Sequence, residues 1–375
     1  MAQLYPLTLD NIVASALDYH VKSDAFKQTI QEKPLIGVFT KRQQTFPGGK
    51  GDITLPISFQ SELPAISGYE GDDQVSYSNP QNTRRVSYPW KEIHAGINVT
   101  LTELKIDGIS VTDSVTGENT SKHSGRDATV LTNILKAKLD DMTEGWARSF
   151  NTMLWKDGTT DAKLVPGLSS FIKPGLAITG GTVDLNTVGT TGGLSRAANP
   201  LWRNRSAQFG YVSGQTNIID GLRKEIRQLK RYGGKPTTIL CGSLFLELLE
   251  KEIHNKGFYS MTGFSKGTNT VGMGATELLG IGEFVYDPTL DDLPGYNPTQ
   301  NGDEQGEESN GNRSSFCYLI DTDAIQMYVM DGEDKKTHNP ARPEDKYVIY
   351  KAMTWTGGMV AKQLSGCGVY QAIVD

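Results

Sequence analysis

Three groups of residues in this chain have types and spacings that chemistry could use. Asp321-Thr322-Asp323 sets two carboxylates two residues apart, as in loops that hold a divalent cation through oxygen ligands. Cys241 and Ser243 stand at the expected N-terminus of a helix, where the positive end of the helix dipole favours a thiolate or an activated hydroxyl. Asp140, Asp141 and Glu144 lie within about one helical turn, close enough to pair an acid with a base. Each group also has a plainer reading. Asp321 and Asp323 fall between the apolar stretches Tyr318–Ile320 and Ile325–Met330, where a hairpin turn would place aspartates anyway. No histidine is placed to serve Cys241 or Ser243, and helix capping accounts for Ser243. Asp140, Asp141 and Glu144 read as a solvated helix face. Gly272-Met273-Gly274 lacks the third glycine of a dinucleotide fingerprint and reads as a turn. The three cysteines form no CxxC pair and the five histidines no HxxxH spacing. The expectation is a chain with no catalytic residue, no cofactor and no metal site, and not an enzyme.

The bulk properties narrow the class further. At 375 residues the chain is long for one core and predicts two to three lobes. A net charge of −6 excludes a dedicated basic nucleic-acid binder. Contact with nucleic acid would fall to a local patch. The basic groups are Arg84-Arg85, Arg203 with Arg205, and the helix residues Arg223, Lys224, Arg227, Lys230 and Arg231, and the sequence assigns none of them to DNA. The cysteine usage fits a reducing cytoplasm. Met1-Ala2-Gln3-Leu4-Tyr5 does not read as a signal peptide, and no apolar run approaches the ~20 residues of a membrane span. Asn98-Val99-Thr100 and Asn119-Thr120-Ser121 match the glycosylation pattern by chance.

The elements that would position these residues follow from periodicity. An N-terminal arm over residues 1–45 carries Ile12, Val13, Leu17 and Val21 at helical spacing after Thr8 or Asp10 as cap. Pro47-Gly48-Gly49-Lys50-Gly51 breaks the chain. Ile53, Leu55 and Ile57 then alternate as in a strand, and a return segment over 85–101 carries Val86, Tyr88 and Trp90. Between them lies a polar stretch from Gly68 to Asn82. This predicts a long two-stranded ribbon with a polar tip, which is marginal in water without a partner surface. A long helix over 127–156 is marked by Leu131, Leu135, Leu139, Met142, Trp146, Phe150 and Met153, ending at Lys156-Asp157-Gly158. Its length is about 45 Å at 1.5 Å per residue. An α–β–α pattern follows: Ile218–Leu229 closed by Gly233-Gly234, a strand at 237–240, and a helix from Ser243. Residues 289–315, acidic and almost without apolar side chains, predict a mobile surface loop, and strands close the chain.

Three segments after the long helix carry a family likeness: Val165-Pro166-Gly167-Leu168-Ser169-Ser170-Phe171-Ile172, Gly192-Gly193-Leu194-Ser195-Arg196 and Asn199-Pro200-Leu201-Trp202-Arg203-Asn204. Together with the ending from Tyr350-Lys351-Ala352-Met353-Thr354-Trp355 to Val374 and the order of elements, the chain resembles the major capsid proteins of tailed bacteriophages, of the Hong Kong 97-type fold. The resemblance implies an α+β chain with an N-arm at 1–48 and an extended loop at 49–104. It implies a peripheral domain of 105–159 and 345–375 around a spine helix 127–156, and an axial domain of 160–344 with an acidic insertion at 289–315. It implies an icosahedral shell of pentamers and hexamers around double-stranded DNA, assembled in the host bacterial cytoplasm and located in the virion. It also implies a portal, a separate scaffolding protein, a possible decoration protein, and no membrane. Ile53, Leu55, Ile57, Tyr69, Tyr88 and Trp90 are then the expected inter-subunit contacts. Lys50 and Lys91 lie in or near the loop, but no motif pairs either for a cross-link. An encapsulin-type compartment, a metal-dependent enzyme using Asp321, Asp323 or Cys241, and a phage tail or surface protein are the rival readings.

Overall fold

A computed structural model describes residues 32–59, 66–75, 77, 79–100, 102–103, 125–174, 184–185, 189–210, 217–231, 233–255, 284–295, 309–338 and 348–373. The expected arm helix after Thr8, the Gly272-Met273-Gly274 turn and the middle of the acidic segment lie outside these residues. Two compact units emerge, one of Met1–Gln31, Glu92–Ser149 and Gly332–Trp355, the other of Glu32–Lys91, Phe150–Asp331 and Thr356–Asp375.

In chain order the elements begin with α1 (Pro34–Thr40), β1 (Gln44–Phe46), β2 (Asp52–Ser58), β3 (Thr83–Pro89), β4 (Lys91–Thr100) and the long helix α2 (Gly125–Trp155). Short strands β5 (Asp184–Leu185), β6 (Thr190–Thr191) and β7 (Leu194–Ser195) lead to β8 (Arg205–Gly210), α3 (Ile218–Arg231), β9 (Thr238–Cys241) and α4 (Ser243–Asn255). Then come β10 (Phe284–Tyr286), β11 (Pro294–Gly295), β12 (Ser309–Asn312), β13 (Phe316–Ile320), β14 (Ile325–Met330), β15 (Lys336–His338), β16 (Val348–Ala361) and β17 (Gly368–Ile373).

The larger unit is organised on a six-stranded mixed sheet in the order β10-β9-β13-β17-β8-β5. Its strands are short and apolar: Phe316–Ile320 is buried at every position, because both faces of the sheet are covered. Helices α3 and α4 supply one cover. Ile218, Leu222, Ile226 and Leu229 recur at three- and four-residue spacing and join Phe245, Leu248, Leu249, Ile239, Leu319 and Tyr370 in one core. Gly233, with φ +80°, ends α3, and Gly234 donates its N–H to the Leu229 carbonyl. Within the same unit β14 pairs the end of β16 (Ile325 with Ala361 through Val329 with Gly357) and runs parallel to β1.

The smaller unit contains most of α2. Met142 and Trp146 are buried, Leu139 is half-buried, and Asp140 and Asp141 face solvent, as the apolar stripe predicts. Lys138 bonds Glu103 at 2.8 Å, and Lys335 lies 5.3 Å above the Trp146 ring. Here β15 and β4 pair β16.

Two expectations are corrected, at the Asp321 turn and at the acidic segment, and the pairing of the final strand is new. The stretches on either side of Asp321 and Asp323 do not form a hairpin: β13 pairs β9 and β17, whereas β14 pairs β16 and β1. The final strand, expected within the 345–375 part of the peripheral domain, pairs β13 and β8 in the larger unit's sheet. The acidic segment is tied down at both ends. Leu290 is fully buried, β11 pairs β12, and Arg313 binds the Pro294 carbonyl and the Ser169 hydroxyl.

Candidate assembly surface

The ribbon is built from β2 and β3 in antiparallel register, from Asp52 opposite Pro89 to Ser58 opposite Thr83. Alternation puts Ile53, Leu55 and Ile57 on one face, with Tyr88, Val86 and Arg84 directly across. Burial along that face falls from root to tip. Val86, Tyr88 and Ile53 are buried, Leu55 and Ile57 half-buried, and Arg84 exposed. Pairing stops at Pro89, and the chain turns away into β4. The return strand expected over 85–101 is therefore two strands with different partners.

The three segments that carry the family likeness meet under the root. Ser87 donates its N–H to the Gly192 carbonyl at 3.1 Å. Gly192 has φ +60°, and a Cβ there would stand 2.9 Å from the Tyr88 ring and hydroxyl. Only glycine combines that conformation with that approach. The Tyr88 ring meets Phe171 edge-on with centroids 5.6 Å apart, and its hydroxyl donates to the Ala361 carbonyl at 2.9 Å. Burial raises the Tyr88 pKa, so the phenol stays protonated. Arg196, fully buried, clasps the platform from behind. It donates to the Phe171 carbonyl (2.6 Å), Asn204 Oδ1 (2.8 Å) and Thr191 Oγ1 (2.9 Å). Burial lowers its pKa to about 10, and burial with the Arg196 charge lowers that of Lys173 to about 8. Trp202 adds its indole N–H to the Thr191 carbonyl at 3.0 Å. A recess of about 260 Å³ opens beside the root between Ser87, Ser170, Thr190 and Met359.

Beyond the paired strands the Phe59 ring still meets Trp202 edge-on, with centroids 5.9 Å apart. A turn at Glu70–Asp73 is closed by Asp73 N–H to the Glu70 carbonyl and Glu70 N–H to the Asp73 carboxylate, with Gly71 at φ +62°. Around it Ile66 (103%), Tyr69 (71%), Val75 (41%) and Tyr77 (93%) are exposed, and these are all the exposed large apolar side chains among the described residues. The tip expected to be polar thus carries, among the described residues, the exposed large apolar side chains beside Glu70, Asp72 and Asp73.

Of the six expected contact residues, Ile53 and Tyr88 are buried within their own chain. Leu55, Ile57 and Trp90 are half-buried, the Trp90 indole donating to the Lys50 carbonyl at 2.8 Å, and Tyr69 is exposed. Ile66, Val75 and Tyr77 were missed, because single apolar residues among Gly, Ser and Asp leave no periodic signal.

Two of the three groups with chemical potential have structural partners. Asp321 accepts N–H bonds from Lys235, Asp323 and Ala324, and Asp323 pairs with Arg42. Cys241 is buried against Cys317. The first N–H of α4, at Ser243, is met by the Asp291 carboxylate at 3.1 Å, so the cap comes from the acidic segment. Arg205 is buried and bonds Glu225 at 2.7 Å, and Arg203 holds the Arg196 and Ala197 carbonyls. Lys224, Arg227, Lys230 and Arg231 remain exposed on α3. Among the described residues no group of three or more His, Cys, Asp and Glu is placed to hold a metal, and no described helix is long and apolar enough to cross a membrane.

No family model matches the chain, and no curated protein matches its sequence. Solved structures match its fold along almost the whole length. A chain of the cyanophage A-1(L) capsid asymmetric unit superposes with TM-score 0.59 at 14% identity, over 94% of this chain and 96% of that one. The asymmetric unit of the bacteriophage PhiM1 mature capsid gives 0.53 at 10% identity, over 94% and 90%. A chain from Gordonia phage Cozz gives 0.50 at 14%, over 100% and 99%. The mixed helix-and-strand architecture is the one these phage structures share.

Proposed function

We propose that this chain is the major capsid protein of a tailed double-stranded DNA bacteriophage, a subunit that assembles with its own copies into an icosahedral head shell. One observation carries the reading: a chain matched over 94% of its length by a chain of a phage capsid gathers its exposed large apolar residues, among those described, in the segment that joins β2 to β3. Exposed apolar side chains gathered in one segment call for a partner surface. In a ring of identical chains that surface is the next copy, through heterologous contacts that close into fivefold and sixfold rings. Many modest contacts per subunit then add to a stable shell.

In this reading residues 1–48 are the N-arm and 49–104 the extended loop, with Leu55, Ile57, Tyr69 and Trp90 toward the neighbour. Residues 105–159, with the strands from 345, form the peripheral domain around the spine helix. Residues 160–344 form the axial domain with the 289–315 insertion, and the β17 pairing supports counting that strand with it. The role is structural rather than catalytic. The partners are other copies, a separate scaffolding protein, a portal and packaged DNA, with a decoration protein as a further candidate. The DNA contact is non-specific and salt-dependent. Assembly takes place in the host cytoplasm, and the product is the virion.

Electron microscopy of the purified chain, expressed alone and with a scaffolding protein, tests this. Closed shells are expected, and small uniform oligomers under both conditions refute it. Shells that purify with a cargo enzyme and no scaffold would turn the reading to an encapsulin-type compartment.

A further inference from the structure

Cys241 and Cys317 are nucleophilic side chains to which neither the fold nor the proposed shell gives a task. They lie directly opposite each other on the antiparallel strands β9 and β13. One residue along, Gly242 donates its N–H to the Phe316 carbonyl at 3.0 Å. Strand alternation therefore makes Cys241–Cys317 a non-hydrogen-bonded pair, in which the α-carbons stand about 4.5 Å apart and the side chains lean together. A disulfide spans that separation. The two Sγ atoms are 3.2 Å apart and both residues are fully buried. Both face the core under α3 and α4, with Tyr370 of β17 on the far side of Cys317. The third cysteine, Cys367, is engaged elsewhere and accepts the Asp321 N–H at 3.4 Å.

We propose that Cys241 and Cys317 form a latent cross-strand disulfide, closed by exchange with a small-molecule disulfide after the shell leaves the reducing cell that makes it. The timing rests on the capsid reading, but the bond itself does not. In the first step one protein thiolate attacks the small disulfide, giving a mixed disulfide and one small thiol. In the second, the other thiolate attacks the protein sulfur of the mixed disulfide and displaces the second small thiol. Two protein thiols are oxidised, one small disulfide is reduced to two thiols, and the two protein protons end on them.

Burial, and then the neighbouring Cys317, push the Cys241 thiol well above its ordinary pKa. Since the thiolate is the attacking species, exchange waits for β9 and β13 to part. The closed bond ties the β10–β9 edge of the sheet to its centre and encloses α4 and the acidic segment in a covalent loop.

The test incubates the purified full-length chain with oxidised glutathione below its unfolding temperature. Free thiols are then alkylated, and non-reduced digests are read by mass spectrometry. The expected result is a Cys241–Cys317 linked peptide, two thiols lost per chain and Cys367 alkylated. The unfolding temperature should rise by several degrees, on the order of the shift a native disulfide produces, and fall back on reduction. Cys241→Ala and Cys317→Ala should each abolish the link and the shift. Three alkylated cysteines after prolonged incubation, or links to Cys367 or between chains, overturn the proposal. If both variants fail to fold, the wild-type thiol count still decides. The readout needs no shell, so a missing link leaves the capsid reading standing and a missing shell leaves the link measurable.

Discussion

Replacing Gly192 by alanine should loosen the ribbon at its root. The residue has φ +60°, a conformation that costs an alanine about 1 kcal/mol. The new methyl would also stand 2.9 Å from Tyr88 Cζ and Oη and 3.0 Å from Val86 Cβ. Neither neighbour gives way cheaply. The Tyr88 hydroxyl is anchored on the Ala361 carbonyl, its ring is packed on Phe171, and Val86 is fully buried. Such overpacking costs about 1–3 kcal/mol. Gly192→Ala should therefore destabilise the larger unit by about 2–4 kcal/mol, roughly 5–15 °C in unfolding temperature for a unit of this size. A double-mutant cycle separates the two causes. Tyr88→Leu removes the phenol, so most of the steric part of the alanine penalty should disappear in that background while the backbone part remains. The coupling should then be at least about 1 kcal/mol in the relieving direction, read by urea denaturation of the unassembled chain. Strict additivity, or a Gly192→Ala chain as stable as wild type, would refute the packing of β3 on this platform.

Further outcomes follow from the same geometry. Tyr69→Ser with Tyr77→Ser should leave the unassembled chain within about 0.5 kcal/mol of wild type, because both rings face solvent, yet reduce shell yield by sedimentation; full yield would show that the tip lacks a partner. Glu225→Gln should destabilise the larger unit by up to about 3–5 kcal/mol, because the buried Arg205 loses the Glu225 carboxylate that it bonds at 2.7 Å, and a calorimetric unfolding temperature within 2 °C of wild type would contradict that. Burial raises the Cys367 pKa to about 12 from 9.0. Below pH 9 the thiol is protonated in both states and has no effect. Between about pH 9 and 12 only the unfolded chain releases the proton, so stability should fall by up to about 1.4 kcal/mol per pH unit from this group. Cys367→Ala should flatten that part of the alkaline slope in unfolding scans, and an unchanged slope would exclude it.

Much of the fold was legible because it is written in local periodicity. The apolar stripe of α2 gave a helix over 127–156 where the structure has Gly125–Trp155, and the break at Gly158 came from a residue free to take positive φ. The α3–β9–α4 order was equally plain, since a switch from period 3.6 to a short apolar run needs no knowledge of partners. The candidate surface was half legible. Alternation put Ile53, Leu55 and Ile57 on one face, but alternation says which residues share a face and not what covers it.

What covers each face was decided by the tertiary structure. Phe171, Gly192 and Tyr88 come together across more than a hundred residues, so that Tyr88, one of the expected contacts, is buried within its own chain. A sheet that takes β13 but not β14 turns the apparent hairpin at Asp321 into a crossing. It also brings Cys241 and Cys317, 76 residues apart, to 3.2 Å. The sequence by itself determined most of the elements and their order, because those follow from propensity and local periodicity. Strand neighbours depend on burial shared between distant segments, and no local pattern encodes which segment arrives.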